Sequence, residues 1–296
     1  MDHLRPSGRL ALRSYEKWAE DASASGDKRA DGELVPGLYG SWSRCNSERM
    51  DVVKPTRAIS CEVRQADCLK FLAELPSGSV DAIVTDPAYS GMNQHLDLGR
   101  GRIVGEYGAA GNGRWFPEFH DDPETFEAFL LECYRVLAPD RHIYVMFDSF
   151  SLLSLGAVMR RVFAVKGLIV WDKVNIGMGH YFRRRHEMVV FASKGRRILS
   201  RRDLPDVWAI KRIHNAAYPT QKPVELFTRM LTGSVEPGMV VCDPFVGSGS
   251  SAVAALRAGC HFIGADVEAR AVEMTQQRWD AVEAGGEDPL EAKKAR

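Results

Sequence analysis

Four consecutive residues, Asp86-Pro87-Ala88-Tyr89, carry groups that could act on an amino group of a planar base. They follow an apolar run at residues 80–85 that is typical of a buried strand. Asp86 offers a carboxylate that accepts hydrogen bonds, Pro87 offers a carbonyl on a restrained backbone, and Tyr89 offers a ring for stacking. An Asp-Pro pair on its own is also common in structural turns.

A second loop, at residues 243–250, is rich in glycine and lies between a predicted strand and a predicted helix. Glycines let the backbone approach a ligand closely, and the start of a helix presents unpaired N–H groups. Asp266, 17 residues after Gly249 at the end of the next predicted strand, could accept hydrogen bonds from both hydroxyls of a ribose. Taken alone, the loop also fits a dehydrogenase or a purely structural turn.

From residue 61 onward, short apolar runs alternate with helical patterns, which predicts a mostly parallel α/β sheet. Seven strands are predicted, at residues 61–66, 80–85, 142–147, 167–171, 187–192, 239–242 and 261–265. Helices are predicted at residues 68–74, 123–137, 224–231, 250–257 and 268–282. Two segments do not fit the alternation: residues 90–121, which we interpret as a functional loop, and residues 193–217.

Composition predicts three parts: a loosely ordered extension at residues 1–57, one domain at residues 58–284, and a C-terminal tail at residues 285–296. The longest stretch without a charged residue has 13 residues, too few to span a bilayer. Residues 1–20 lack the apolar stretch of a secretory signal. We therefore expect a cytoplasmic protein without a membrane partner.

The six cysteines show no Cys-x-x-Cys spacing, so we expect neither a metal site nor a disulfide framework. Although the formal net charge is zero, residues 173–213 hold eleven Lys or Arg and only three acidic residues. Such a basic stretch is what neutralisation of nucleic-acid phosphates requires. A solvated surface would show the same pattern.

Several motifs, in this order, resemble the amino-group DNA methyltransferases of the β arrangement, in which the catalytic loop precedes the cofactor loop. Asp67-Cys68-Leu69 and residues 75–81 resemble the lead-in to the family's Asp-Pro-Pro-Tyr motif, here Asp86-Pro87-Ala88-Tyr89. The most specific part is Tyr218-Pro219-Thr220-Gln221-Lys222-Pro223, followed by the loop at residues 243–250. The resemblance covers most of residues 61–277. Ala88 departs from it, because a second proline is usual there.

The resemblance implies a circularly permuted, seven-stranded Rossmann-like sheet that binds S-adenosylmethionine. The predicted strands at residues 167–171 and 187–192 would form its antiparallel hairpin edge. The residues implied to bind the cofactor are Asp67 and Cys68 at its adenine, Asp266 at its ribose, Asp243, Gly247 and Gly249 at its methionine with Phe245, Ser248 and Ser250 in the same loop, and Thr220 and Lys222 near its carboxylate.

The implied reaction is transfer of a methyl group to N6 of an adenine flipped out of DNA. Asp86 and Pro87 would accept hydrogen bonds from the amino group, and Tyr89 would stack on the base. Asp rather than Ser at position 86 favours adenine N6 over cytosine N4, which stays an alternative, as does a non-catalytic DNA-binding protein. The cofactor loop begins 157 residues after Asp86, an order that disfavours glutamine-methylating enzymes.

Recognition of double-stranded DNA must use few residues, because residues 193–218 are too few for a separate recognition domain. We expect the segments near 90–121 and 183–217, and a second subunit in a homodimer, to supply the contacts. The expected DNA-binding side chains are Arg183, Arg184, Arg196, Arg197, Arg201 and Arg202.

Overall fold

A computed structural model describes residues 59–89, 122–177, 182–214, 216–218 and 220–292. Within these residues, eight strands form one sheet in the spatial order β1-β8-β7-β2-β3-β5-β4-β6. The strands are β1 Cys61–Gln65, β2 Val80–Thr85, β3 Leu137–Phe147, β4 Ala164–Asp172, β5 His186–Lys194, β6 Val207–Ala209, β7 Val240–Asp243 and β8 His261–Asp266. The predicted extension at residues 1–57 and the whole loop at residues 90–121 lie outside the described residues.

Helices cover both faces of the sheet. They are α1 Cys68–Glu74, α2 Pro123–Val136, α3 Ser149–Val162, α4 Val224–Leu231, α5 Ser250–Arg257, α6 Ala269–Glu283 and the short α7 Pro289–Ala292. Apolar side chains of α1, α2 and α3 form one buried cluster, and those of α4, α5 and α6 form the other. This double layer is what a mostly parallel sheet requires, because both of its faces must be covered.

The predicted methyltransferase sheet is confirmed, with one additional strand. The antiparallel element is β5, which pairs with β3 on one side and with β4 on the other. The expectation that β4 and β5 form the sheet edge is wrong, because β6 pairs in parallel with β4 on its outer side. With three residues, of which only Trp208 is buried, β6 is too short to show the alternation that predicts a strand.

Helix boundaries follow the capping residues. The predicted start of α2 is confirmed: Asp122 Oδ1 accepts a hydrogen bond from the Thr125 N–H at 2.9 Å, and Pro123 occupies the first turn. Helix α3 is not predicted from the sequence. Asp148 nevertheless caps it in the same way, with the Phe150 N–H 2.8 Å from Asp148 Oδ1. Three serines and a glycine interrupt its apolar face, which weakens the helical pattern.

Strands β7 and β2 are neighbours at the centre of the sheet, yet the chain leaves them in opposite directions. From β7 it continues to β8 on one side, and from β2 to β3 on the other. An α/β sheet opens a crevice at such a point, beyond the C-terminal ends of its parallel strands. We call this side of the sheet the carboxyl edge; Asp86 directly follows β2 there, and Asp243 ends β7.

The segment after α6 is tied to the domain by a buried ion pair. The side chains of Arg278 on α6 and Asp288 are 1% and 0% exposed. Their two hydrogen bonds, Nε to Oδ1 and Nη2 to Oδ2, measure 2.9 and 2.5 Å. Arg278 Nη1 also donates a hydrogen bond to the Ser248 carbonyl at 2.6 Å, so the ion pair also holds the glycine-rich loop in place.

We predict that Asp288→Ala lowers the free energy of unfolding by about 3 to 5 kcal/mol, because it leaves the Arg278 charge buried without its partner. Urea unfolding followed by circular dichroism measures this change. Glu291→Ala is the matched control: it removes the partly exposed pair with Arg257 and should cost less than about 1 kcal/mol. Equal effects of the two variants would contradict a structural role for the Arg278–Asp288 pair.

Candidate active site

The crevice at the carboxyl edge is an open cavity of about 990 Å³, a volume that includes the solvent space at its mouth. It brings together most of the residues that the sequence analysis singled out. Those that line it are Asp67, Cys68, Asp86, Pro87, Thr220, Lys222, Phe245, Gly247, Ser248, Ser250 and Asp266. Because they come from separate chain segments, only the fold makes them one site.

Two glycines give the loop at residues 243–250 its shape. Gly247 and Gly249 have φ values of 49° and 80°, in the left-handed region that favours glycine. A Cβ atom at Gly249 would lie 2.7 Å from Thr275 Oγ1 and 2.8 Å from its Cα atom, so the loop packs directly on α6. Gly249 therefore shapes the loop beneath the cavity, and its contact with the cofactor stays a prediction.

Asp243 is likewise buried under the cavity, and its predicted role at the methionine end of the cofactor stays a prediction. Its carboxylate accepts hydrogen bonds from the Phe245 N–H at 3.0 Å and from Ser251 Oγ at 2.6 Å. Burial raises the pKa of Asp243 to about 7. Its role in the structure is to join β7 to the loop and to the first turn of α5.

The two acidic residues expected at the adenosine end both lie on the cavity wall. Asp266 Oδ2 accepts a hydrogen bond from the Gly247 N–H at 2.9 Å, and Oδ1 accepts one from the Glu268 N–H at 3.0 Å. Burial raises the pKa of the Asp266 carboxyl above its ordinary value. Asp67 caps α1 by accepting from the Leu69 N–H at 3.0 Å. Each carboxylate oxygen has further lone pairs, so these contacts leave both groups able to accept from a ligand.

Asp86 and Lys222 form an ion pair at the other end of the cavity, through Asp86 Oδ2 and Lys222 Nζ. Lys222 was expected beside the cofactor carboxylate, but the structure directs its ammonium group to Asp86. The side chain of Lys222 is 8% exposed and that of Asp86 is 21% exposed. Burial raises the pKa of Asp86 above its ordinary value, against the opposing effect of the Lys222 charge.

Glu187 and Lys173 extend this ion pair behind the cavity wall, and the sequence analysis assigned no role to either. Glu187 Oε2 lies 4.0 Å from Lys222 Nζ, and Lys173 Nζ contacts Glu187 Oε1. Although burial acts in the other direction, the Lys222 and Lys173 charges hold the pKa of Glu187 below its ordinary value. The four side chains carry two positive and two negative charges. No local spacing predicts that Glu187 lies near Asp86, since the two are 101 residues apart and on different strands.

Tyr89 does not occupy the position that stacking on a base requires. It is 1% exposed, and its ring stacks on Phe147 with the centroids 5.2 Å apart. Phe126 contacts the same ring from α2 at 6.3 Å. In this conformation the aromatic core covers Tyr89, and its stacking on a base stays a prediction. Pro87 matches its prediction better: it lines the cavity, and its carbonyl accepts one hydrogen bond from the Tyr89 N–H at 3.0 Å.

The six arginines predicted to bind DNA fall at opposite edges of the sheet. Arg183 and Arg184 precede β5 at the carboxyl edge, where its first residue, His186, pairs with Asp172 at the end of β4. The other four, Arg196, Arg197, Arg201 and Arg202, follow β5. This nine-residue strand extends roughly 27 Å.

Two contacts place the second group. The Arg196 N–H bonds to Asp140 Oδ1 near the start of β3, and Arg197 pairs with Glu236. The structure thus separates these arginines between the two edges of the sheet, and their contacts with DNA stay a prediction. After β6 the chain returns to the carboxyl edge, where Lys211 and Arg212 are exposed.

The described residues form an open cavity at the carboxyl edge of a mostly parallel α/β sheet. Comparison with known proteins identifies the family. A family model for N6/N4 methyltransferases, described as DNA methylase, matches residues 80–277. The chain is 33% identical to YubD of Escherichia coli (strain K12) over 221 residues, which are 74% of this chain and 90% of YubD. The protein therefore belongs to the N6/N4 DNA methylase family.

Two solved structures are similar in fold. TTHA0409 of Thermus thermophilus, solved in complex with S-adenosylmethionine, gives a TM-score of 0.54 at 19% identity and covers 77% of this chain and 98% of its own. The PvuII DNA methyltransferase, named as cytosine-N4-specific, gives a TM-score of 0.57 at 18% identity and covers 73% and 85%. The family is S-adenosylmethionine-dependent and acts on DNA, which confirms the expected cofactor and substrate class.

The described residues contain neither a membrane-spanning helix nor a metal-binding cluster. No helix among them is long and apolar enough to cross a membrane. No group of three or more His, Cys, Asp or Glu side chains in these ranges is arranged to hold a metal ion.

Proposed function

We propose that this DNA methyltransferase transfers a methyl group to N6 of adenine in double-stranded DNA. The observation that carries the proposal is the presence of Asp86 and the glycine-rich loop on the walls of one cavity. A target amino group held by Asp86 would thus lie beside the cofactor. Cytosine N4 is the second candidate, since the PvuII enzyme with the same fold is named as cytosine-N4-specific.

The cavity walls suit S-adenosylmethionine. We assign the ribose hydroxyls to Asp266, the adenine to the region of Asp67, Cys68 and Phe245, and the methionine to Gly247, Ser248 and Ser250 with Thr220. The N-terminus of α5 adds a partial positive charge beside the residues that we assign to the methionine. When bound, the cofactor supplies a sulfonium methyl group that leaves as a methyl cation equivalent.

The protein's own side chains would act on the nitrogen that accepts the methyl group. In a free base its lone pair is delocalised into the ring, which makes it a poor nucleophile. Hydrogen bonds from the amino group to the Asp86 carboxylate and the Pro87 carbonyl would hold the nitrogen close to tetrahedral geometry and favour the positive charge it gains. After transfer the nitrogen carries one proton in excess, which the Asp86 carboxylate can accept.

We expect Asp86→Ala to lower methyl transfer by at least about a thousandfold while cofactor affinity changes less than about threefold, because Asp86 acts on the target amino group. Transfer is measured with labelled cofactor and DNA, and affinity by calorimetry. Mass spectrometry of nucleosides from DNA treated with the unaltered protein identifies the base. Methylcytosine there would overturn the adenine proposal, and parallel losses of transfer and affinity would place Asp86 in the cofactor site.

We further propose that DNA lies across the carboxyl edge, on Arg183, Arg184, Lys211 and Arg212. These exposed side chains flank the opening that a flipped base must enter. Arg201 and Arg202, also exposed, lie on the far side of the sheet from that opening and form the natural comparison.

We expect Arg183→Ala with Arg184→Ala to weaken DNA binding and to lower the salt slope of the association constant by about 2, one unit for each lost phosphate contact. Arg201→Ala with Arg202→Ala removes the same charge and should leave that slope unchanged. Fluorescence anisotropy at several salt concentrations measures both. A lower slope in the second pair alone would show that DNA lies against the opposite edge.

We also propose that two copies of the chain act together. The apolar side chain of Leu153 on α3 is 84% exposed, which favours a covered face in the assembled enzyme. Light scattering at micromolar concentration should give about twice the chain mass of 32.9 kDa. Leu153→Glu should shift the mass toward one chain, and a single-chain mass for the unaltered protein would contradict the dimer.

A further inference from the structure

We propose that Lys222 is a positioning residue of the transfer reaction: it holds the Asp86 carboxylate in place for the target amino group, with Glu187 and Lys173 fixing Lys222 from behind. This inference rests on the proposed function. It assigns Lys222 to the residues that orient the base and no longer to those that bind the cofactor.

The two carboxylate oxygens of Asp86 have different surroundings. Oδ2 is taken by Lys222 Nζ, and among the described residues no other side chain donates to this carboxylate. Because Asp86 lines the cavity, Oδ1 is the oxygen left for an incoming amino group. The ammonium group thus fixes the rotation of the carboxylate and compensates its charge, while the accepting lone pairs of the other oxygen stay available.

Lys222 itself is held at both ends. Its backbone carbonyl accepts a hydrogen bond from Ser250 Oγ at 2.7 Å, at the first residue of α5. Its ammonium group also lies 3.3 Å from the Thr220 carbonyl, and Thr220 has the uncommon φ of 56°. A non-glycine residue in this region indicates a backbone shape that the surrounding contacts maintain. The lysine is therefore built into the cavity wall and is not a mobile surface charge.

Glu187 gives Lys222 its second anionic neighbour. It is opposite Trp171 in the pairing of β4 with β5, and neither Glu187 nor Lys173 lines the cavity. Lys173 Nζ lies 5.3 Å from the centre of the Trp171 ring, which holds this charge over an aromatic face. With an anion on either side, Lys222 stays protonated although it is buried. A neutral lysine could not compensate the charge of Asp86.

The charged groups around Asp86 act in different directions. Lys222 and Lys173 favour its ionised form, Glu187 disfavours it, and Asp243 on β7 is a further nearby acid. Removing Lys222 therefore raises the pKa of Asp86, whereas removing the charge of Glu187 lowers it. Loss of packing alone would not produce shifts of opposite sign.

The experiment compares Lys222→Met, Lys222→Arg and Glu187→Gln with the unaltered protein. Under saturating cofactor and DNA, we expect Lys222→Met to lower kcat at least tenfold. The acid limb of its pH profile should move upward by about one pH unit or more, because an opposite charge has been removed. Lys222→Arg should restore the position of that limb, and Glu187→Gln should move it downward. Lys166→Met, which removes an exposed lysine on β4, is the control and should leave the limb in place.

Two readouts separate this inference from the alternatives. Cofactor affinity measured by calorimetry should change less than about threefold in Lys222→Met; a loss of thirtyfold or more with an unmoved acid limb would return Lys222 to the cofactor carboxylate. Carbon-13 NMR of the aspartate carboxyls, with the Asp86 signal assigned by its loss in Asp86→Asn, titrates Asp86 without any turnover. An Asp86 titration identical in Lys222→Met and the unaltered protein would overturn the inference.

The NMR arm also distinguishes the two proposals. If the unaltered protein transfers no methyl group to DNA but the Asp86 titration moves as expected, the proposed function fails and the pairing stands. If transfer occurs and neither the pH profile nor the titration moves, the positioning role fails and the proposed function stands.

Discussion

The ion pair between Lys222 and Asp86 is the interaction that joins the two halves of the site. Asp86 belongs to the loop after β2, and Lys222 to the segment before α4. From Lys222 a chain of buried hydrogen bonds continues through Ser250 Oγ to Arg278 Nη1 at 3.1 Å, and from Arg278 to Asp288. The catalytic loop, the cofactor loop and the C-terminal segment are thus held by one polar network. A displacement of Lys222 or Arg278 would leave a buried charge unpaired, which costs several kcal/mol.

Such a network is an expensive way to build a core, because each charge loses its hydration. Neutrality reduces that cost: the four groups at Asp86 and the pair at Arg278 each contain equal numbers of positive and negative charges. In the reaction that we propose, the arrangement would provide a carboxylate whose position and ionisation are set before a base arrives. Groups aligned in advance need no reorganisation when positive charge develops on the target nitrogen.

Sequence reasoning located the two loops and most of the sheet for a physical reason. Strand ends of a parallel sheet meet at one edge, so Asp86 after β2 and the glycine loop after β7 had to face the same crevice. It failed where the outcome depends on packing or pairing across long separations. Tyr89 is covered by Phe147, and the proximity of Glu187 to Lys222 arises from strand pairing, which no local pattern carries.

The direction of β5 has the largest functional consequence of any feature of the fold. In a parallel strand, residues that precede it lie far from the carboxyl edge, but β5 runs antiparallel and starts at that edge. Arg183 and Arg184, which precede it, therefore lie at the carboxyl edge, and Glu187 reaches the ion pair behind the cavity wall. The same reversal sends Arg196 and Arg197 to the far edge. One reversed strand thus supplies the counter-charge for Lys222 and separates basic residues that form one continuous stretch in the sequence; the DNA contacts of Arg183 and Arg184 are our proposal.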